Sequence, residues 1–275
     1  RIHLQGPSSM LHRLPHCVCL LVVFLVSVAR GEDNVTLPAK KDFHLFLLVG
    51  QSNMAGRGRV AAQDQVVQPR VLTLTKDRQW KHAVDPIHFD KPVAGVGLGR
   101  TFGIVIAQAM PEVTIGLIPC AVGGSPISAW QPGGYHAQTK SHPYDECLER
   151  AKVALQAGNL KGILWHQGES DSKEGKAEVY EQKLHELIER FRRDLDAPNV
   201  PFIVGQMGQF QERPWSDQRK QVDEAHRSLP TKVDNTAYVS SEGLGHKGDE
   251  VHFSAEAYRE LGRRYADAYL AMQGE

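Results

Sequence analysis

The chain has 275 residues, with 32 Lys and Arg balanced by 32 Asp and Glu. A net charge of zero excludes nucleic-acid binding through a bulk basic excess, the usual means of neutralising phosphates. With 41% hydrophobic and 23% charged residues the bulk of the chain is globular rather than disordered, and four cysteines are too few for a disulfide scaffold.

The first readable segment begins at Met10. His12, Arg13 and His16 give it a basic start without an acid, residues 17–29 are almost wholly apolar, and Ser27-Val28-Ala29 places small residues at a cleavage site. That order is the pattern of a secretory signal peptide, and an apolar run of about 13 residues falls short of the roughly 20 that span a bilayer. The expectation is therefore an upstream leader at 1–9, a signal peptide at 10–29 and a single domain over 40–275. The product is expected to be secreted or periplasmic, with no stable membrane insertion after cleavage. Cleavage after Ala29 leaves two cysteines, Cys120 and Cys147. They are expected as small buried hydrophobes, though an oxidising compartment permits a pair. Asn34-Val35-Thr36 is a glycosylation sequon, meaningful in a eukaryotic host.

Short apolar runs then predict strands over 43–49, 71–74, 114–119, 162–166, 201–206 and 236–240. Helical patterns lie between them, over 98–110, 144–157 and 217–228. Leu184, Leu187, Ile188, Phe191 and Leu195 recur on one helix face. Tyr258, Leu261, Tyr265 and Ala268 do the same, behind Ser254 as N-cap and Glu256 in the first turn. Such alternation predicts an α/β fold, a parallel sheet covered by helices on both faces. Ligands of such sheets bind at the carboxyl ends of the strands.

Four strand ends carry chemistry. After the first comes Gly50-Gln51-Ser52-Asn53-Met54-Ala55-Gly56, a turn that can expose a hydroxyl among backbone N–H groups. After the third comes Cys120-Ala121-Val122-Gly123-Gly124-Ser125, where paired glycines allow close approach of a ligand. After the fourth comes Trp165-His166-Gln167-Gly168-Glu169-Ser170-Asp171, and before the last helix Asp249-Glu250-Val251-His252. Each alone reads equally well as an ordinary turn or surface polar pair. Together they supply a nucleophile, N–H donors, a base and an orienting acid, the parts needed for acyl transfer. The remaining histidines have no zinc spacing, so no metal is expected. In Gly95-Val96-Gly97-Leu98-Gly99 the third glycine falls one place early for a dinucleotide site, with Arg100 in its position, and no organic cofactor is expected either.

The blocks FLLVGQSNMAGRG (46–58), GLIPCAVGGSPISAW (116–130), ILWHQGESD (163–171) and DEVHFS (249–254) resemble the SGNH hydrolase superfamily. They are most similar to its branch of sialate O-acetylesterases and family-six carbohydrate esterases (acetylxylan esterases), over roughly 43–272. The resemblance implies a three-layer α/β/α sandwich with a flavodoxin-like parallel sheet. It implies Ser52 as nucleophile, His252 as base and Asp249 as acid, with Glu169 the alternative acid. Its oxyanion hole would use the N–H groups of Ser52 and Gly124, with Gly123 the alternative glycine, and the side chain of Gln167 in place of the superfamily's asparagine. The implied substrate is an acetylated carbohydrate, of the acetylxylan or sialic-acid type, and no cofactor is needed. Trp130 and Trp165 would form a sugar-stacking wall or be buried, and Arg57 and Arg59 would meet an acidic sugar or simply face solvent. Other readings are a short-chain or lipid esterase, an inactive carbohydrate-binding protein on the same fold, or a flavodoxin-like carrier.

Overall fold

β1 (Phe43–Gly50) reads FHLFLLVG and is buried at every position but one, as a central strand covered on both faces must be. In the computed structural model, which describes residues 1–4, 6 and 35–274, β1 pairs in parallel with β4 (Thr114–Pro119) on one side and β5 (Asn159–His166) on the other. β2 (Val71–Leu74) extends the first side, and β6 (Phe202–Gly205) and β7 (Thr236–Val239) the second, all parallel. The seven-stranded order is β3-β2-β4-β1-β5-β6-β7. The signal-peptide reading of 10–29 and the Asn34 sequon fall outside the described residues.

β3 (Trp80–His82) is the element missing from the sequence reading. It runs antiparallel to β2 at the edge, through a turn in which Arg78 takes φ 62°. Three half-buried residues, two of them polar, carry no apolar run to mark a strand. β5 likewise begins earlier than expected, because Asn159–Lys161 at its start are only half-buried.

The layers follow from alternation along β1. Phe43, Leu45, Leu47 and Val49 enter one core, with α3 (Pro143–Ala157), α4 (Tyr180–Asp194) and α5 (Asp217–Arg227) over it. Phe46 and Leu48 enter the other, beneath α2 (Leu98–Ala109) and α6 (Ala255–Gln273). α2 and α6 pack closely: a Cβ on Gly262 would lie 2.4 Å from the carbonyl oxygen of Leu98. Ser216 and Ser254 cap α5 and α6, their hydroxyls accepting from the N–H groups of Arg219 and Ala257. The chain leaves β1 toward β2 and returns through β4, then crosses to β5. That reversal is a topological switch point at the carboxyl ends of β1, β4 and β5, the place where sheets of this kind bind ligands.

Candidate active site

β1 ends at Gly50, whose φ is 130°. A Cβ there would lie 2.2 Å from the carbonyl oxygen of His166 on β5, so only glycine lets the two strand ends approach this closely. The N–H of Gln51 donates to that same oxygen at 2.9 Å. The chain then turns into a single helical turn, α1 (Ser52–Ala55), with the N–H groups of Met54 and Ala55 donating to the carbonyl of Gln51. Ser52 is its first residue, and its own N–H has no partner among the described residues.

Asp249 and His252 reach Ser52 from the loop before α6. Asp249 Oδ1 accepts from the backbone N–H groups of Val251 (3.1 Å) and His252 (2.8 Å), which folds the loop around its own carboxylate. Its Oδ2 lies 2.7 Å from His252 Nδ1, and His252 Nε2 lies 3.1 Å from Ser52 Oγ. Burial pushes the Asp249 carboxyl up. The hydrogen bonds from the His252 ring, the two backbone N–H groups and Lys247 outweigh it and hold the group far below the usual carboxylate range. The ionised Asp249 fixes the proton on Nδ1 and leaves the Nε2 lone pair toward the serine hydroxyl.

Asn53, the residue after Ser52, to which the sequence reading gave no role, ties these pieces together. Asn53 Nδ2 donates to the Val251 carbonyl (3.0 Å) and to Glu169 Oε1 (2.6 Å). Its Oδ1 accepts from the Tyr258 hydroxyl (2.6 Å) and the Phe253 N–H (3.4 Å). Asn53 thus clasps the Ser52 turn to the histidine loop and to α6. Glu169, the alternative acid, serves this clasp; the carboxylate bonded to His252 is Asp249.

On the β4 side, the Val122 N–H donates to the Gly50 carbonyl at 3.0 Å and brings the glycine loop beside Ser52. Gly124 takes φ 87°, and its carbonyl accepts from the Ser170 hydroxyl at 2.9 Å. The Ser170 N–H in turn donates to Gln51 Oε1 at 3.3 Å. The Gly123 N–H is taken by Asp90 Oδ2 at 2.8 Å, whereas the Gly124 N–H donates to no described group. The N–H groups of Ser52 and Gly124 are thus both without a partner among the described residues. The expectation for Gln167 is corrected. It is fully buried, its Nε2 donates to Asp171 Oδ2 (2.6 Å) and the Ser125 carbonyl (3.2 Å), and its Oε1 accepts from the Tyr180 hydroxyl (2.8 Å). Both amide hydrogens are spent, so Gln167 braces the glycine loop from behind rather than donating to a ligand.

The sugar-stacking alternative for the tryptophans is corrected too. Trp130 and Trp165 are wholly buried and pack edge to face, centroids 5.4 Å apart. Their Nε1 groups donate to Ser125 Oγ (2.9 Å) and the Tyr180 hydroxyl (3.2 Å). Arg57 is buried against Asp90, with Nη2 2.6 Å from Oδ2, while Arg59 is exposed. Cys120 and Cys147 are free and buried.

Residues 42–271 match the sequence family described as carbohydrate esterase, sialic acid-specific acetylesterase. A probable carbohydrate esterase of Arabidopsis thaliana is 33% identical over 270 residues, 89% of this chain and 97% of its own. The X-ray structure of that protein superposes with a TM-score of 0.74 at 32% identity, covering 85% of this chain and 99% of the other. NanS gives 0.71 at 18% identity over 86% of this chain and 99% of its own. A carbohydrate acetylesterase of Xanthomonas citri gives 0.63 at 21% identity over 85% and 57%. At these last two identities the likeness is one of fold.

Proposed function

Because the chain belongs to the sialic acid-specific acetylesterase family of carbohydrate esterases, and is thereby a carboxylic ester hydrolase, we propose that it deacetylates sugars through an acetyl-serine on Ser52. His252 Nε2 takes the Ser52 proton as Oγ attacks the acetyl carbonyl. Asp249 holds the imidazole in one tautomer and stabilises the imidazolium that forms. The negative oxygen of the tetrahedral intermediate meets the N–H groups of Ser52 and Gly124, each such donor being worth about 3–4 kcal/mol in the transition state. His252 then returns the proton to the departing sugar hydroxyl. Water, deprotonated by the same imidazole, releases acetate and restores Ser52.

The observation that carries this reading is the unbroken relay from Asp249 Oδ2 to His252 Nδ1 (2.7 Å) and from His252 Nε2 to Ser52 Oγ (3.1 Å). The family's description favours an O-acetylated sialic acid as substrate, with acetylated xylan the other candidate. The basic start, apolar run and cleavage site at 10–29 support export, so that the glycan is met outside the cytoplasm. The test is acetate release from both substrates by the wild-type chain and by Ser52→Ala. Release that disappears in the variant supports a serine esterase, and the faster substrate names its glycan. Release that persists in Ser52→Ala removes Ser52 from the chemistry.

A further inference from the structure

The loop that carries Gly124 leaves the sheet after β4, and its direction beyond Val122 must be fixed by something other than strand pairing. One buried ion pair supplies the tie. Arg57 follows the nucleophile turn, and Asp90 lies between β3 and α2. Arg57 Nη2 is 2.6 Å from Asp90 Oδ2 and Nη1 is 3.4 Å from Oδ1, with side chains 5% and 1% exposed. Asp90 Oδ2 also accepts the Gly123 N–H at 2.8 Å. In the other direction, Arg57 Nη1 donates to the Gly56 carbonyl at 2.7 Å, and the Gly56 N–H donates to the Ser52 carbonyl at 2.9 Å. A continuous line of hydrogen bonds thus runs from Ser52 through Gly56, Arg57 and Asp90 to Gly123. Gly123 has to be glycine for this: a Cβ there would lie 2.4 Å from Arg57 Nη2 and 2.6 Å from Asp90 Oδ2.

Burying two charges is a poor way to gain net stability, since desolvation offsets their attraction. The line instead joins the backbone of Ser52, whose N–H is left free, to Gly123, the neighbour of Gly124, whose N–H is left free as well. Resting on the reading of Ser52 as nucleophile, we propose that Arg57 and Asp90 are positioning residues of the oxyanion hole. Asp90 takes up the Gly123 N–H and so aims the next one, that of Gly124, at the oxygen that becomes negative. Arg57 fixes the spacing of that donor from the Ser52 N–H and neutralises the carboxylate that would otherwise sit beside a developing anion. Neither residue touches substrate. Such donors act because they are already in place when charge develops, so a loosened loop loses transition-state binding while substrate binding is kept.

The test compares Asp90→Ala, which loses the acceptor, with Asp90→Asn, which keeps an oxygen for Gly123. Two quantities are read on folded protein: kcat and KM for 4-nitrophenyl acetate, and the affinity of a boronic acid that forms a tetrahedral anionic adduct on Ser52. Asp90→Ala is expected to lower kcat about 10–100-fold with KM changed less than about threefold, and to weaken the boronate by the same factor as kcat/KM. Asp90→Asn is expected to recover most of both. If Asp90→Ala does not fold, Arg57→Lys, which keeps the charge but not the two-pronged contact, carries the comparison. A variant that melts earlier yet keeps kcat and boronate affinity within about threefold of wild type overturns the proposal and leaves the pair a purely structural one. Turnover that survives in Ser52→Ala, or a wild type indifferent to the boronate, defeats the nucleophile reading instead, and this inference with it.

Discussion

Replacing Asp85 by Asn should stabilise the protein at alkaline pH and do little at acid pH. Asp85 is 3% exposed, and its Oδ1 has no hydrogen-bond partner. The Arg100 guanidinium, whose charge acts on it, donates to the carbonyls of Ala83 and Val66. Burial therefore pushes the Asp85 carboxyl up to about 7 from an ordinary 3.8, even with the Arg100 charge and the Gly97 N–H drawing it down. A folded-state value above the unfolded one means that the folded protein holds the proton more tightly. The stability this confers is complete below about pH 3.8 and is lost as pH rises through about 7. Above that point both states are ionised, and the fold carries a penalty on the order of 4 kcal/mol for a gap of about three pH units. Asn keeps the shape without the charge. Any cost of its amide hydrogens is the same at every pH, so the pH dependence isolates the carboxyl. About 2.7 kcal/mol of this penalty develops between pH 5 and pH 8, so the melting temperature of Asp85→Asn relative to wild type should rise over that range by roughly 5–10 °C, at about 2–4 °C per kcal/mol for a domain of this size. A difference that stays constant across that range would refute the reasoning.

Three further outcomes follow from the site. Asp249→Asn should cut kcat by about 10³–10⁴, because an amide no longer enforces the tautomer that points a lone pair at Ser52; Glu169→Gln, which keeps an acceptor for Asn53, should cut it less than about tenfold, and equal losses would reassign the acid. Gly124→Ala forces a side chain onto a φ of 87°, so esterase assays should show kcat falling about tenfold or more with KM little changed, since the Gly124 N–H is displaced. Trp130→Phe leaves the buried Ser125 hydroxyl without its donor and should lower stability by about 1–3 kcal/mol in urea titrations, while KM for acetylated sugars is unchanged.

The parts legible in the sequence were those written in short stretches of chain. β1 announces itself through an apolar run, and the local Asp249–His252 spacing brings two partners together on one turn. Beside these, the QSNMAG and QGESD blocks carry a resemblance that no periodicity could supply. What stayed hidden depends on where a side chain points. Gln167 follows a strand as an oxyanion donor would, yet its amide turns inward toward Asp171 and Tyr180. Trp130 and Trp165 stand near strand ends, but whether an indole faces a crevice or another indole is decided by packing across the sheet. Arg57 finds its carboxylate 33 positions away, and Asn53 finds Tyr258 205 positions away. β3 was missed because an edge strand of three residues needs no apolar signature.

The clasp at Asn53 has a consequence for the order of events during synthesis. Its partners Val251 and Tyr258, and the imidazole that faces Ser52, all lie about 200 residues downstream of it. A chain still emerging from the ribosome exposes Ser52 long before its histidine partner, so on the proposed mechanism the hydroxyl stays an ordinary alcohol until the last loop and helix arrive. On that mechanism reactivity appears only once the chain is nearly finished and closed. On that mechanism the order of synthesis itself keeps the serine inert while the chain is being made.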